Sequence, residues 1–326
     1  MEKAKKWLSG NVVIVTLVVL CVLFGIGNPV FFSAKNILNV LSQMCINALL
    51  ASGLVYVIIL GGIDISVGGT AALAGVLASF AGLKFPDMGP IGFIVLLVVV
   101  GVVVGLVVGF LNGFLIAYCN VVPMICTLAM LNITRGLAYV ITGGQPVYGL
   151  PNSFAFLGAS RLIKTEGMPN GIIPVITIFT VIVVFIMHTL LSKTVFGRHI
   201  YAVGSNRQVA HLSGINVKKS ILAGHMICSV MACLAGVCSA SKIQNGQPGA
   251  CDAYEMYAIA SAVLGGTSLL GGVGSVGRAM FGVAVIQVIK NGMDLMQISS
   301  YWQKVVIGVI IILAVVLDMA QQKKKD

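Results

Sequence analysis

Charge is what this chain has least of. Only 9% of its 326 residues are Asp, Glu, Lys or Arg, against 58% hydrophobic residues and a mean hydropathy of +1.05. A soluble domain of this length needs a charged exterior, so a water-soluble fold is excluded and a multispanning membrane protein is implied. Acids are scarcer still, at nine. Asp64, Asp87, Glu166, Asp252, Glu255, Asp294 and Asp318 fall in loops or near the ends of apolar runs, which leaves no acid deep in the bilayer to relay ions. No GxxxxGK[ST] sequence occurs, so the chain does not hydrolyse ATP through a P-loop. CxxC pairs, Cys/His clusters and Ser/His/Asp spacings are also lacking; neither an enzyme nor a bound cofactor or metal is expected. Cys21, Cys45, Cys119, Cys126, Cys228, Cys233 and Cys238 read as small core residues within apolar runs, and only Cys251 falls in a loop, so no disulfide framework is expected.

What remains is apolar sequence in long runs, the pattern of spanning helices rather than of a period-two outer-membrane barrel. Lengths near 20 residues give ten spans: Val12–Ile26, Ile37–Leu60, Ser66–Leu83, Ile91–Tyr118, Pro123–Ile141, Gly171–Leu191, Ile221–Ala240, Tyr254–Leu270, Val276–Asn291 and Trp302–Leu317. The fold class is all-α, one transmembrane domain over 1–326. Lys3, Lys5 and Lys6 before the first run resemble a signal peptide, but no small-x-small cleavage site follows, so it is kept as a span anchored by Trp7. With the amino terminus inside, twelve basic residues fall inside and seven outside, Arg135 lying within a span. That bias puts both termini in the cytoplasm. The net charge of +11 sits at the termini and in the central loop, where anionic lipid rather than nucleic acid explains it.

The central loop, 192–219, is the longest polar interval and carries Lys193, Arg198, Arg207, Lys218 and Lys219. Ser205 and Gln208 have capping-box spacing and Gly214 is placed to end a helix in a left-handed conformation, which predicts two turns over Asn206–Ser213. So short a helix is unstable alone. Neighbouring helix ends or a partner protein must hold it; an ordinary packed surface turn is the alternative.

Two glycine-rich stretches lie on the same side. In LGGIDISVGG, 60–69, Gly61 and Gly62 close one helix while Asp64 or Ser66 caps the next; an acid there also suits a gate. LGGTSLLGGVGSVG, 264–277, repeats the design with Gly265 and Gly266. Its GxGxxG over 272–277 has no strand before it, so closely approaching helix ends explain it better than a dinucleotide. On the other side, Gly144-Gln145-Pro146 and Gly246-Gln247-Pro248 echo one another as a paired docking rim, and the external loop 143–170 carries Arg161 and Lys164, suited to acidic groups of a soluble partner or to plain solvation. Asn36, Asn39, Gln43 and Asn47 form one stripe on the second span, and Tyr254, Tyr257 and Ser261 another on the eighth. Uncharged amides and hydroxyls suit a neutral, hydroxyl-rich solute; interhelical hydrogen bonding is the equal alternative.

Five blocks carry a family resemblance: GGIDISVGG at 61–69, VPMICTLAMLNITRGLAYVITGGQP at 122–146, GRHIYAVGSNRQVAHLSGINV at 197–217, YEMYAIASAVLGGTSLLGGVGSVG at 254–277 and NGMDLMQISSYWQ at 291–303. From about Asn36 to Asp318 the chain resembles the membrane subunits of bacterial ATP-binding-cassette importers for monosaccharides, of the ribose permease type. The resemblance implies a homodimer in the inner membrane, two ATPase domains below and a periplasmic sugar-binding protein above. It implies that the helix after Ser205 is the coupling helix that enters an ATPase groove, through Arg207, Gln208, Val209, Ala210, Leu212 and Gly214. The family's acid is replaced by Gln208, and its usual amide by Asp294. A furanose or amino-acid permease of the same superfamily and an ion-coupled carrier are the rival readings.

Overall fold

The computed structural model describes residues 12–163 and 171–322. Helices occur at every predicted span: α1 (Val12–Gly27), α2 (Ala34–Ile59), α3 (Val67–Leu83), α4 (Pro90–Ala117), α5 (Pro123–Thr142) and α6 (Val175–Lys193). The central loop holds α7 (Val195–Ser205) and α8 (Arg207–Leu212), and α9 (Val217–Ile243), α10 (Tyr254–Leu264), α11 (Val276–Leu295) and α12 (Ser300–Gln322) complete the bundle. By length and composition α2, α4, α5, α6 and α9 can each cross a membrane; α1, α3 and α12 carry shorter apolar stretches.

The bundle is built around α2 and α9, which are buried along most of their length. Glycine at every fourth position of α4 makes a close seam with α9. Gly101 faces Cys233 and Leu234, Gly105 faces the backbone of Val230, Gly109 that of Met226 and Gly113 that of Leu222. In lipid, where apolar burial drives no association, such close approach supplies the dispersion contacts that hold helices together. Gly53 does the same for α2, lying against Cys228 and Met231, and Gly236 lets α9 meet the carbonyl of Ala71 on α3. Outward faces are apolar: Val95, Val99 and Val103 of α4, Val181, Ile182 and Phe185 of α6, and Val305, Val309 and Ile312 of α12 are all exposed. Surfaces of that kind are stable only against lipid or another apolar face.

The predicted eighth span requires correction. α10 has 11 residues, roughly 16 Å of helix, too short for a hydrocarbon core about 30 Å thick. Gly266, at φ +83°, stops it in the left-handed conformation, and Leu270 lies beyond in an exposed turn. Two stretches of irregular backbone, 61–66 before α3 and 245–253 before α10, are therefore packed against the bundle, with Gln247 and Asp252 of the second left exposed. Their carbonyls find donors within the protein, as membrane depth demands. Thr127 Oγ1 donates to Ile63 O at 3.2 Å, and the Arg135 guanidinium donates to the carbonyls of Pro248, Ala250 and Cys251.

The external loop is less solvated than its composition suggests. Phe154 and Leu157 are buried, with Phe154 edge-on to Phe93 at 5.7 Å. Ser241 Oγ donates to Phe154 O at 2.7 Å and accepts from Gly158 N at 2.9 Å, tying the loop to the end of α9. Arg161–Leu162 pairs antiparallel with Ile173–Pro174. Among the cysteines, Cys119 lies exposed just past α4 rather than in the core, whereas Cys251 falls in a turn as expected, and is buried there; all eight are free.

Candidate functional site

The end of the bundle formed by 192–219 carries the most constructed feature of the molecule. Thr194 caps α7 by accepting from Gly197 N at 3.2 Å, and α7 buries Gly197, Ile200 and Val203. Tyr201 donates its hydroxyl to Gly274 O at 2.8 Å, and burial pushes this phenol's pKa up, keeping it a donor. Gly204 lies directly on the Ile59 carbonyl and beside Gly272 N, which itself donates to Ile59 O at 2.8 Å. No residue with a Cβ fits there.

The expected capping box is not formed. Ser205 is still helical, the last residue of α7, and its hydroxyl donates back to Tyr201 O at 2.9 Å. Asn206, extended at φ −160°, is the cap instead, its Oδ1 accepting from Gln208 N at 2.9 Å and Val209 N at 3.0 Å. The helix ends as predicted, with Gly214 at φ +82°, Gly214 N donating to His211 O and Ile215 N to Ala210 O. Neighbouring helix ends hold it: Ala210 is buried and Arg207 donates to Leu60 O at 3.3 Å. The outward face carries two aliphatic side chains, Val209 58% and Leu212 86% exposed, flanked by exposed Gln208 and His211. A six-residue helix with one side fixed to the bundle and two aliphatic side chains turned out suits a partner's apolar groove.

α7 is fastened to both glycine turns. After α2, Leu60, Gly61 and Gly62 donate to the carbonyls of Tyr56, Ile58 and Val57, with Gly61 at φ +76°. After α10, Gly265, Gly266 and Thr267 donate to Ser261, Val263 and Ala262, with Gly266 at φ +83°. The two helix ends are the same Schellman-like closure, offset by one residue from the LGG alignment. Gly271 and Gly272, both at positive φ, bring the second turn against Ile59 and Ser205.

Asp64 is fully buried. Its Oδ1 accepts from Ser66 N at 2.9 Å and Ser66 Oγ at 2.6 Å, and Asn112 Nδ2 donates to Ser66 Oγ at 3.0 Å. Thus Asp64 shapes the entry to α3, and Ser66 serves it as a donor. His225, also buried, has Nδ1 3.0 Å from Ile221 O, which requires a proton on that nitrogen. His225 and the Cys228 thiol face Asp64 electrostatically, a cluster drawn from positions far apart in the chain.

The α2 stripe is largely paired inside the subunit. Asn36 and Asn291 exchange hydrogen bonds at 2.9 Å, Gln287 donates to Gln43 at 2.6 Å, and Asn47 donates to Ser261 Oγ at 2.9 Å. Ser261 Oγ in turn donates a hydrogen bond to Tyr257 O at 2.7 Å. Asn39 is exposed. The rings of Tyr254 and Tyr257 lie 5.4 Å apart, tilted by 59°, and share Lys290, whose Nζ lies 5.2 and 4.6 Å from their centroids. Asp294, the departure from the family amide, accepts from Gln303 at 2.6 Å.

At the opposite end, the two GQP turns do meet. Val147 and Gly246 form an antiparallel bridge, each N–H donating to the other's carbonyl at 3.0 and 3.1 Å, and Gln145 and Gln247 are both exposed beside it. Arg161 is half-buried in the loop; Lys164 lies outside the described residues. Below this rim Arg135, Tyr139, Gly249 and Asp252 line a cavity of about 340 Å³. Asp252 pairs with Lys304 at 3.7 Å on the exposed side.

A polytopic helical bundle with interrupted segments, internal polar pairs and a short helix fixed at one end has the make-up of a membrane transport component, and no catalytic constellation occurs among the described residues. The comparisons agree. The chain belongs to the family described as branched-chain amino acid transport system / permease component, which matches residues 36–315. It is 41% identical over 302 residues to the ribose import permease protein of Bacillus subtilis, covering 93% of this chain and 90% of that one. It is 37% identical to the D-allose transport system permease protein of Escherichia coli over 93% of this chain and 89% of the relative. The galactose/methyl galactoside import permease protein of Salmonella typhimurium is 33% identical over 98% and 96%. No solved structure matches.

Proposed function

We propose that the chain is the membrane-spanning permease subunit of an ATP-binding-cassette importer for a monosaccharide, a ribose-like pentose or a related sugar. Two copies form the conduit in the bacterial inner membrane, both termini in the cytoplasm. A cytoplasmic ATPase binds the nucleotide, so this chain needs no cofactor of its own. A periplasmic sugar-binding protein delivers the solute at the rim of Gln145, Gln247, Arg161 and Lys164. The names of its relatives, which import ribose, allose and galactose, support the solute class.

The observation that carries this reading is α8, with Val209 and Leu212 turned outward and Ala210 and Arg207 fixed to the bundle. Closure of the ATPase pair on ATP would move that helix, and α7 would pass the displacement to both glycine turns as a rigid-body shift. Val209→Asp with Leu212→Asp places two charges where an apolar groove is expected. In proteoliposomes holding the complete complex, the double variant is expected to lose ATP-driven uptake of D-ribose, D-allose or D-galactose while folding normally. Uptake at the wild-type rate would refute the assignment.

A further inference from the structure

One outward face of α5 does not suit lipid. Thr127, Met130, Thr134 and Ala138 point into the subunit, and on the opposite side lie Asn132, Gly136 and Tyr139, all exposed, with half-buried Arg135 between them. Their spacing of three and four residues makes one continuous stripe. Asn132, whose Nδ2 donates to Leu128 O at 3.1 Å and whose Oδ1 is left to the outside, and the Tyr139 phenol are exposed at membrane depth beside Arg135, whose guanidinium turns in to the 248–251 carbonyls; such a face suits a water-filled cavity rather than hydrocarbon. Beside the stripe, Ile133, Leu137 and Val140 give α5 an ordinary apolar face.

The stripe runs up to a half-open depression of about 340 Å³ lined by Arg135, Tyr139, Gly249 and Asp252. Its floor is the irregular segment before α10, held by Arg135 through the carbonyls of Pro248, Ala250 and Cys251. Gly249 keeps the cavity open, since a Cβ there would come within 3.2 Å of the Tyr139 hydroxyl. The lining offers a carboxylate acceptor, guanidinium donors and a phenol that does both, with opposite formal charges on Arg135 and Asp252. Adjacent hydroxyls of a neutral solute match that set; an ionic solute would leave one charge opposed.

Resting on the permease reading above, we propose that this cavity is the first station of the solute path, a site for one neutral polyhydroxylated molecule, continued toward the α8 end by Gly136 and Asn132 on α5. Asp252 and Tyr139 contact the solute, and Arg135 is chiefly a positioning residue for the floor.

The test uses the complete complex in proteoliposomes with saturating sugar-loaded binding protein. Asp252→Asn and Tyr139→Phe are each expected to lower D-ribose, D-allose or D-galactose uptake about tenfold, the loss of one hydrogen bond to a charged or polar partner. ATP hydrolysis stimulated by the binding protein stays near wild type, which a merely structural role would not allow. Lys304→Met, which removes the exposed ion pair and leaves the cavity intact, is expected to leave uptake unchanged; a loss equal to that of Asp252→Asn overturns the proposal. Independently, Tyr139→Cys is expected to react with a charged, membrane-impermeant methanethiosulfonate above the background of the parent chain. No added reaction, or a disulfide between two copies at that position, assigns the face to lipid or to the second subunit and overturns the proposal. If the wild-type complex moves no sugar, the permease reading fails, and the labelling still decides whether the α5 stripe faces water.

Discussion

Gly204→Ala is the smallest change that separates the lever from the conduit. The added methyl would fall on the Ile59 carbonyl and 2.8 Å from Gly272 N, whereas an ordinary contact is 3.4–4 Å. Both obstacles are backbone, so neither can rotate aside and α7 must withdraw. A gap of about 0.5–1 Å forfeits a quarter to a half of the dispersion contact along the seam. It also stretches two hydrogen bonds, Tyr201 to Gly274 and Arg207 to Leu60, each contributing about 1 kcal/mol. The total, about 3 kcal/mol, shifts the docked-to-undocked ratio of the lever on the order of 100-fold. α8 keeps its outward Val209 and Leu212, so the ATPase still binds. The expected phenotype is uncoupling: hydrolysis persists while sugar moved per ATP falls at least tenfold in the reconstituted complex. Gly214→Ala is the control. It has nothing within 4 Å but sits at φ +82°, so it costs only about 1–2 kcal/mol of local backbone strain and is expected to preserve coupling. Wild-type stoichiometry in Gly204→Ala, or equal loss in both variants, would refute a rigid connection through α7.

Two further outcomes follow from the bundle itself. Along α4, Gly109→Ala meets the Met226 Cα at 2.5 Å and is expected to destabilise the protein by about 2 kcal/mol, whereas Gly101→Ala first meets the movable Leu234 side chain at 3.1 Å and is expected to cost much less; melting in a fixed detergent orders the pair, and the reverse order contradicts the backbone seam. For the buried polar cluster, Asp64→Asn and His225→Leu are expected to be non-additive by about 1 kcal/mol or more in a double-mutant cycle read by the same melts. Strict additivity would mean that the carboxylate and the imidazole do not interact.

Much of the architecture was legible because it is written locally. Apolar runs mark the helices, Gly214 marks the end of α8, and the isolated charge of Arg135 demanded backbone or partner groups, which 248–251 supplies. The two GQP echoes pointed to turns of like depth, and the Val147 to Gly246 bridge joins them. What was missed depends on distant pairing. Asp64, Asn112 and His225 are far apart in the chain, and no spacing rule brings them together. The α4 glycines at 101, 105, 109 and 113 were not singled out from the sequence, where nothing local names their partner helix. α7 was hidden by its own composition: a helix lying on polar turns at the end of the bundle carries the same basic residues as a loop. α10 was overextended because Leu269 and Leu270 prolong the apolar run beyond the glycine that stops the helix.

Polar side chains in a membrane helix either bind another helix or line a path, and composition does not distinguish the two. Pairing does. On α2 the amide of Asn36 is met by Asn291 and Phe31, that of Gln43 by Gln287, and Asn47 donates to Ser261, leaving only its Oδ1 without a donor. A solute entering there would have to break bonds the fold has already made, each worth about 0.5–2 kcal/mol in a membrane interior. On α5, Asn132 and Tyr139 are exposed; Asn132 donates once to Leu128 O and keeps its Oδ1 outward, and Arg135 is spent on holding backbone. Hydrogen-bonding capacity that the fold leaves open on an outward face is available to a solute at little cost, which is why the stripe most evident in the sequence binds helices and the less evident one offers the better conduit.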